Sequence, residues 1–269
     1  MTHILVTNDD GVSSPGLLAL KRALERVGTV SVIAPDRNRS AIGRGITFHD
    51  PLHVEEVALA DGSTAFATDG TPVDCVRLGA LGLVGDVPDV VVSGINLGLN
   101  LGDDVTYSGT VAAALEGVLL GWPAIAVSQQ YDGPPNERFD GAHYDFTAVA
   151  EFVADLVPVM VGGAFPTGVM LTVNAPARPA HTPPQGRATR LGRRIYNDAL
   201  TLVATEGNRR RYTIYGDQPS SHPEAGTDFE AIEAGEISVT PLHFELTSAE
   251  GLAALSGLFA AGEILPERT

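Results

Sequence analysis

Along the first two thirds of this chain, short continuous apolar runs alternate with longer stretches in which apolar residues recur every three or four positions. The runs at residues 3–8, 30–34, 88–93, 124–128 and 168–174 have the length and composition of buried strands. Between the first two, Pro15 opens a pattern of Leu17, Leu18, Leu20, Leu24 and Val27 that closes at Gly28, which predicts an amphipathic helix with proline in its first turn. Further helices are predicted over about 72–82, 109–120 and 144–161. Strands alternating with helices predict an α/β fold around a mostly parallel sheet. Residues 44–67 break the rhythm and read as short strands around turns at Asp50-Pro51 and Asp61-Gly62. From Pro176 to Pro223, prolines, glycines and arginines interrupt two strand-like pieces, 199–204 and 210–215, which predict an arm or hairpin and not a sheet centre. The tail carries a short helix (228–234), the strand-like Ile237-Ser238-Val239 and a closing helix rich in alanine and leucine. The expected organisation is a single domain with a core at 1–176, an arm at 177–245 and a C-terminal helix at 246–269.

Three of the predicted strands end in polar clusters. The first runs into Asn8-Asp9-Asp10-Gly11, the second into Pro35-Asp36-Arg37-Asn38-Arg39-Ser40, and the third into Ser93-Gly94-Ile95-Asn96. In a parallel sheet these ends share one edge, where open α/β sheets keep their ligands. On a regular strand Asp9 and Asp10 point to opposite faces. To act on one ligand they must lie in the turn, where Gly11 permits unusual backbone angles. Taken singly, each cluster has a plain reading: a tight turn, a solvated serine, an asparagine bonded to its own loop. Taken together, two carboxylates with neutral oxygens from Ser40 and Asn96 form a hard-oxygen set suited to magnesium or manganese. No histidine or cysteine lies near them, which disfavours zinc. A second element points to phosphate: Tyr107-Ser108-Gly109-Thr110 precedes a strong helix former, and the free N–H groups of a helix start, with two hydroxyls, make an oxyanion site. Simple N-capping by Ser108 or Thr110 explains the same residues equally well.

Charge narrows the partners. With 33 acidic and 17 basic residues the formal charge is −16, which argues against duplex nucleic acid and requires any phosphate site to supply its own positive potential. Lys21 is the only lysine, and half of the arginines fall between Arg178 and Arg211, a segment read as an oligomer arm that pairs with acidic surfaces of neighbours. A single cysteine, Cys75, suits a reducing cytoplasm. The first residues lack a basic stretch followed by an apolar one, and the most apolar later stretch, 111–128, is interrupted by Glu116, Gly117, Gly121 and Pro123, so neither a signal peptide nor a membrane span is expected. The loop 94–102 is not G-x-G-x-x-G, Lys21 sits inside a predicted helix and not in a phosphate-binding loop, and the common zinc-protease and serine-hydrolase signatures are missing.

The order of Asn8-Asp9-Asp10-Gly11, Pro35-Asp36-Arg37 with Ser40, Gly70-Thr71-Pro72-Val73-Asp74-Cys75-Val76, Ser93-Gly94-Ile95-Asn96 with Gly98 and Asn100, and Tyr107-Ser108-Gly109-Thr110-Val111 resembles the survival protein E (SurE) family. The likeness continues through Val173-Asn174-Ala175-Pro176 and Thr227-Asp228-Phe229-Glu230-Ala231. It implies a Rossmann-like three-layer core with a projecting C-terminal arm used for oligomerisation, as a homodimer or homotetramer. The implied activity is divalent-metal-dependent hydrolysis of nucleoside monophosphates, with the choice between 5′ and 3′ left open and one Mg2+ or Mn2+ per subunit. The resemblance assigns the metal to Asp9, Asp10, Ser40 and Asn96. Asn8, Ser108, Gly109 and Thr110 are then expected on the phosphate, with Asn8, Asp9 and Asp10 closest to the chemistry. Attack by water and attack by one aspartate are both compatible with this set. One departure stands out: the family usually has glycine after the metal-binding serine, and this chain has Ala41. A transferase using a nucleotide-activated donor and a non-catalytic nucleotide-binding regulator are the alternatives.

Overall fold

The computed structural model describes residues 1–133, 144–179, 183–214 and 220–261. Its centre is a nine-stranded sheet. Strands β1 (His3–Thr7), β2 (Thr29–Pro35), β3 (Val54–Ala58), β4 (Thr64–Thr68), β5 (Val90–Leu97), β6 (Ala124–Gln129), β7 (Val169–Ala175), β8 (Gly186–Ala188) and β13 (Ile237–His243) are ordered β3-β4-β2-β1-β5-β6-β7-β13-β8. From β4 through β7 all neighbours are parallel, while β3 and β13 pair antiparallel with β4 and β7. The parallel centre follows from sequence: β5 and β6 are buried along their whole length, as strands covered on both faces must be.

Helices α1 (Pro15–Leu24) and α4 (Thr147–Val161) cover one face, and α2 (Pro72–Ala80) and α3 (Gly109–Leu119) cover the other. In α1, Leu17, Leu20 and Leu24 pack inward at the predicted spacing. Thr71 and Asp74 start α2 with a reciprocal capping box. Because β1 is flanked by β2 on one side and β5 on the other, the chain order reverses at β1 and opens a crevice at the carboxyl ends of β1 and β5.

The rest of the chain differs in part from expectation. A hairpin of β10 (Thr201–Glu206) and β11 (Arg209–Thr213) stands outside the main sheet, as predicted. Residue 215 of the predicted strand and residues 262–269 of the predicted C-terminal helix lie outside the described residues. Between Pro176 and Pro223 the structure adds β8, a three-residue edge strand pairing with β13, which the sequence did not indicate. Its brevity left no periodicity to read. Two further short strands, β9 (Arg194–Ile195) and β12 (Ser220–Ser221), pair with each other, and helices α5 (Asp228–Glu233) and α6 (Ala249–Ala261) frame β13. The arginine cluster is also largely satisfied within its own chain: Arg178 pairs with Asp132, Arg187 with Glu230 and Glu236, Arg190 and Arg193 with Glu224, and Arg194 with Asp104. No helix among the described residues is long and apolar enough to cross a membrane.

Candidate active site

β1 delivers its chain into the turn Asn8–Gly11. Asn8 is fully buried; its amide nitrogen donates to Gly11 O at 3.0 Å and its amide oxygen accepts from Gly11 N at 3.1 Å. Gly11 has φ +105°, and a Cβ there would lie 3.1 Å from the carbonyl carbon of Arg37. Asn8, expected on a phosphoryl oxygen, closes the turn that carries the two aspartates, and its amide nitrogen has a second proton beyond the one given to Gly11 O.

Asp9 is only 3% exposed, and the start of α3 is built around it. Thr110 Oγ1 donates to Asp9 Oδ1 at 2.5 Å, and Thr110 is itself fully buried. A Cβ on Gly109 would lie 2.9 Å from Asp9 Oδ2, so only glycine lets the helix come this near. Burial pushes the Asp9 carboxyl above its ordinary range, opposed by the hydrogen bond from Thr110 and by the Thr110 and Gly109 N–H groups. Of the four residues expected on phosphate, Thr110 has its hydroxyl on the carboxylate. Ser108 caps the helix, its Oγ accepting from Val111 N at 3.1 Å. A serine hydroxyl that accepts one bond still has its own proton to donate.

Asp10 points the other way in the turn. Its Oδ2 accepts from Leu97 N at 2.9 Å and its Oδ1 from Asn38 Nδ2 at 3.3 Å. The first bond joins it to β5, where a register shift against β6 between Ser93 and Asn96 marks a local irregularity beside the site. Asn96 Nδ2 donates to Gly98 O at 2.7 Å, which leaves the amide oxygen as its metal-type donor. The second bond joins Asp10 to the connection after β2. There Arg39 N donates to Asp9 O at 2.7 Å, and Ser40 N donates to Asn38 Oδ1 at 2.8 Å. Each of the four candidate ligands is thus one residue or one hydrogen bond from another: Arg39 and Asn38 tie the Ser40 loop to both aspartates, and Leu97 ties Asn96 to Asp10. Ala41, beside Ser40, has φ +58°, so alanine stands in the left-handed region where glycine is favoured.

The donor set fits a hard divalent cation. A desolvated carboxylate next to a second one is costly unless a cation neutralises the pair, and the hydroxyl and amide oxygens are the neutral donors such a cation accepts. Among the described residues, no three His, Cys, Asp or Glu side chains form a metal-binding group. Elsewhere, Lys21 lies in α1 as expected, buried and paired with Glu25 at 2.7 Å and Asp61 at 3.1 Å, and the free Cys75 thiol is buried, which raises it well above its usual range. The sequence reading missed Asn38, Arg39 and the inward turn of Thr110. The signal for Asn38 was present, since asparagine two residues before a serine commonly accepts that residue's N–H.

Comparisons with known proteins identify the family and the fold. The model of the family described as Survival protein SurE matches residues 4–198. A "5'-nucleotidase SurE" of Rubrobacter xylanophilus is 53% identical over 252 residues, 93% of this chain and 94% of that protein. One of Herpetosiphon aurantiacus is 46% identical, covering 94% and 97%. Among solved structures, the SurE protein from Aquifex aeolicus superposes with a TM-score of 0.77 at 36% identity, covering 96% of this chain and 99% of its own. With the ordered motifs, the α/β topology and near full-length identity in agreement, this chain belongs to the survival protein SurE family.

Proposed function

We propose that this chain is a divalent-metal-dependent 5′-nucleotidase that hydrolyses nucleoside monophosphates to nucleoside and inorganic phosphate. The observation that carries the reading is Asp9, a carboxylate 3% exposed and set against the first turn of α3 beside a second carboxylate. The nearly full-length relatives named 5'-nucleotidase SurE support the substrate. Asp9, Asp10, Ser40 Oγ and the Asn96 amide oxygen would hold one Mg2+ or Mn2+ per subunit. When bound, that ion supplies Lewis acidity toward a phosphoryl oxygen and a lowered pKa for a coordinated water.

The chain's own groups do the rest. Thr110 and Gly109 fix the Asp9 carboxylate, Leu97 N and Asn38 fix Asp10, and Asn8 fixes the turn between strand and ligands. Ser108 and the N–H groups at the start of α3 orient the phosphate, with the positive end of the helix dipole behind them. The nucleoside portion fits the cleft of about 250 Å3 that borders Asp10 on the α1 side, where Ser13 and Ser14 offer hydroxyls and Tyr144 and Phe146 an aromatic wall. Those two rings lie 5.9 Å apart and tilted by 36°, and their apolar surface suits a base. Location in the cytoplasm and assembly as a homodimer or homotetramer complete the proposal.

A panel of 5′ and 3′ monophosphates, run with Mg2+, with Mn2+ and with chelator, tests the reading. Phosphate release with either metal and its loss on chelation is the expected result. Transfer from a nucleotide-activated donor without monophosphate hydrolysis, or calorimetric nucleotide binding without turnover, would overturn it.

A further inference from the structure

Glu116 on α3 is fully buried, and apart from Thr110 the rest of that helix is alanine, glycine and aliphatic residues. A buried carboxylate is costly unless cations face it. Two do. Arg44 Nη2 donates to Oε2 at 2.8 Å, and Arg77 Nη2 approaches Oε1 at 2.6 Å as an ion pair without hydrogen-bond alignment. Arg77 comes from the neighbouring helix α2, but Arg44 comes from the β2–β3 connection, four residues after Ser40. Arg44 is also held from its other side, its guanidinium carbon 4.6 Å from the centre of the Phe244 ring.

The Ser40 connection needs such an anchor. Its apolar side chains do not hold it, since Ile42, Ile46 and Phe48 are 37%, 48% and 79% exposed. What holds it is polar: Arg39 N on Asp9 O, Gly43 N on Tyr107 O at 3.0 Å, Thr71 Oγ1 on Gly45 O at 2.8 Å, and Arg44 on Glu116. Two of these ties end on α3 or the residue just before its cap. They therefore fix the loop to the same rigid element that presents Ser108, Gly109 and Thr110.

We infer that Glu116 is a positioning residue: through Arg44 it holds the loop bearing Ser40 in register with the start of α3, and so completes the metal site without touching metal or substrate. The inference rests on the reading of Ser40 as a metal ligand, and the test separates the two. Mn2+ binding to the metal-free full-length protein is measured by titration calorimetry without substrate, for the parent and for Ser40→Ala, Arg44→Ala and Arg77→Ala, with thermal melts to establish that each folds. Arg44→Ala is expected to weaken Mn2+ binding roughly tenfold, as loss of an outer support typically does, and to recover kcat at saturating Mn2+. Arg77→Ala removes an arginine from the same carboxylate but frees no ligand loop, and it is expected to bind Mn2+ as the parent does. Parental affinity in Arg44→Ala, or equal weakening in both arginine variants, overturns the inference while a weakened Ser40→Ala leaves the metal site standing. Parental affinity in Ser40→Ala overturns the metal-site reading itself.

Discussion

At the carboxyl edge of the sheet, Asn8, Asp9, Asn96, Ser108 and Thr110 are polar and each at least nine-tenths buried; beyond residue 199, Leu200, Leu202, Val203, Leu252 and Phe259 are apolar and each more than half exposed. Both regions depart from the usual partition of polar and apolar side chains, in opposite senses. At the edge the departure is compensated within the chain, because Asp9 has Thr110, Asp10 has Leu97 and Asn38, and Asn8 has Gly11. In the C-terminal extension it is not: α6 has no buried residue at all. An isolated helix of that length is marginal in water. The edge thus satisfies its polar groups within one copy, while α6 leaves its apolar side chains exposed, and in the proposed homo-oligomer a second copy of the chain would cover them.

The largest effect is expected where the buried polar network is cut at its centre. Asp9→Asn keeps the shape and a hydrogen-bond acceptor for Thr110 but removes one of the two proposed anionic ligands. Nucleoside monophosphate hydrolysis should fall by more than about a hundredfold, with an unchanged far-UV circular dichroism spectrum. Parental rates with Mg2+ or Mn2+ in this variant would show that the buried carboxylate has another purpose.

The other side of the comparison is addressed by ending the chain after Thr247. This removes α6 and its exposed leucines and Phe259 and leaves every group of the edge in place. Light scattering should report a lighter particle than the parent, and calorimetry the parental Mn2+ affinity. An unchanged mass would mean that the exposed apolar face of α6 does not mediate the proposed assembly.

A smaller effect is expected from Thr110→Val, which keeps the volume of a fully buried residue and deletes the hydroxyl on Asp9. One buried charge-assisted hydrogen bond is worth about 1.5–3 kcal/mol. The melting temperature should drop by several degrees, and Mn2+ affinity should weaken by about tenfold, since Asp9 loses the group that orients it. A change in phosphate affinity with unchanged metal affinity would return Thr110 to the phosphate role that the sequence suggested.

The architecture was legible in sequence because burial on both faces turns a central parallel strand into a continuous apolar run, and five such runs locate β1, β2, β5, β6 and β7 within a few residues. The convergence of Asp9, Asp10, Ser40 and Asn96 at one edge was legible for the same reason: parallel strands end together. The direction in which each polar side chain spends its hydrogen bonds was not. Nothing local distinguishes a Thr110 that faces a phosphate from one that faces Asp9, because the partner is a hundred and one residues away and the choice is made by packing. Glu116 stood out in sequence only as a break in an apolar stretch. Its partners, Arg44 and Arg77, come from two different elements that only the fold brings together.

The smallest effect concerns Ala41, where a sequence departure from the family pattern meets an observed backbone conformation. At φ +58° alanine carries a steric cost of about 1–2 kcal/mol that glycine avoids. Glycine in turn makes the unfolded chain more flexible, which costs about 0.4–1 kcal/mol. The difference leaves Ala41→Gly more stable by at most about 1.5 kcal/mol, which in a domain of this size raises the melting temperature by no more than about 6 °C. Relief of that strain next to Ser40 should leave Mn2+ affinity equal or slightly higher, because the loop remains tied at Arg39 and Gly43 on either side. A lower melting temperature would mean that the neighbouring ties, and not the residue's own preference, set the backbone at this position. The ligand loop would then belong with the compensated groups of the edge, where the surroundings determine what each residue does.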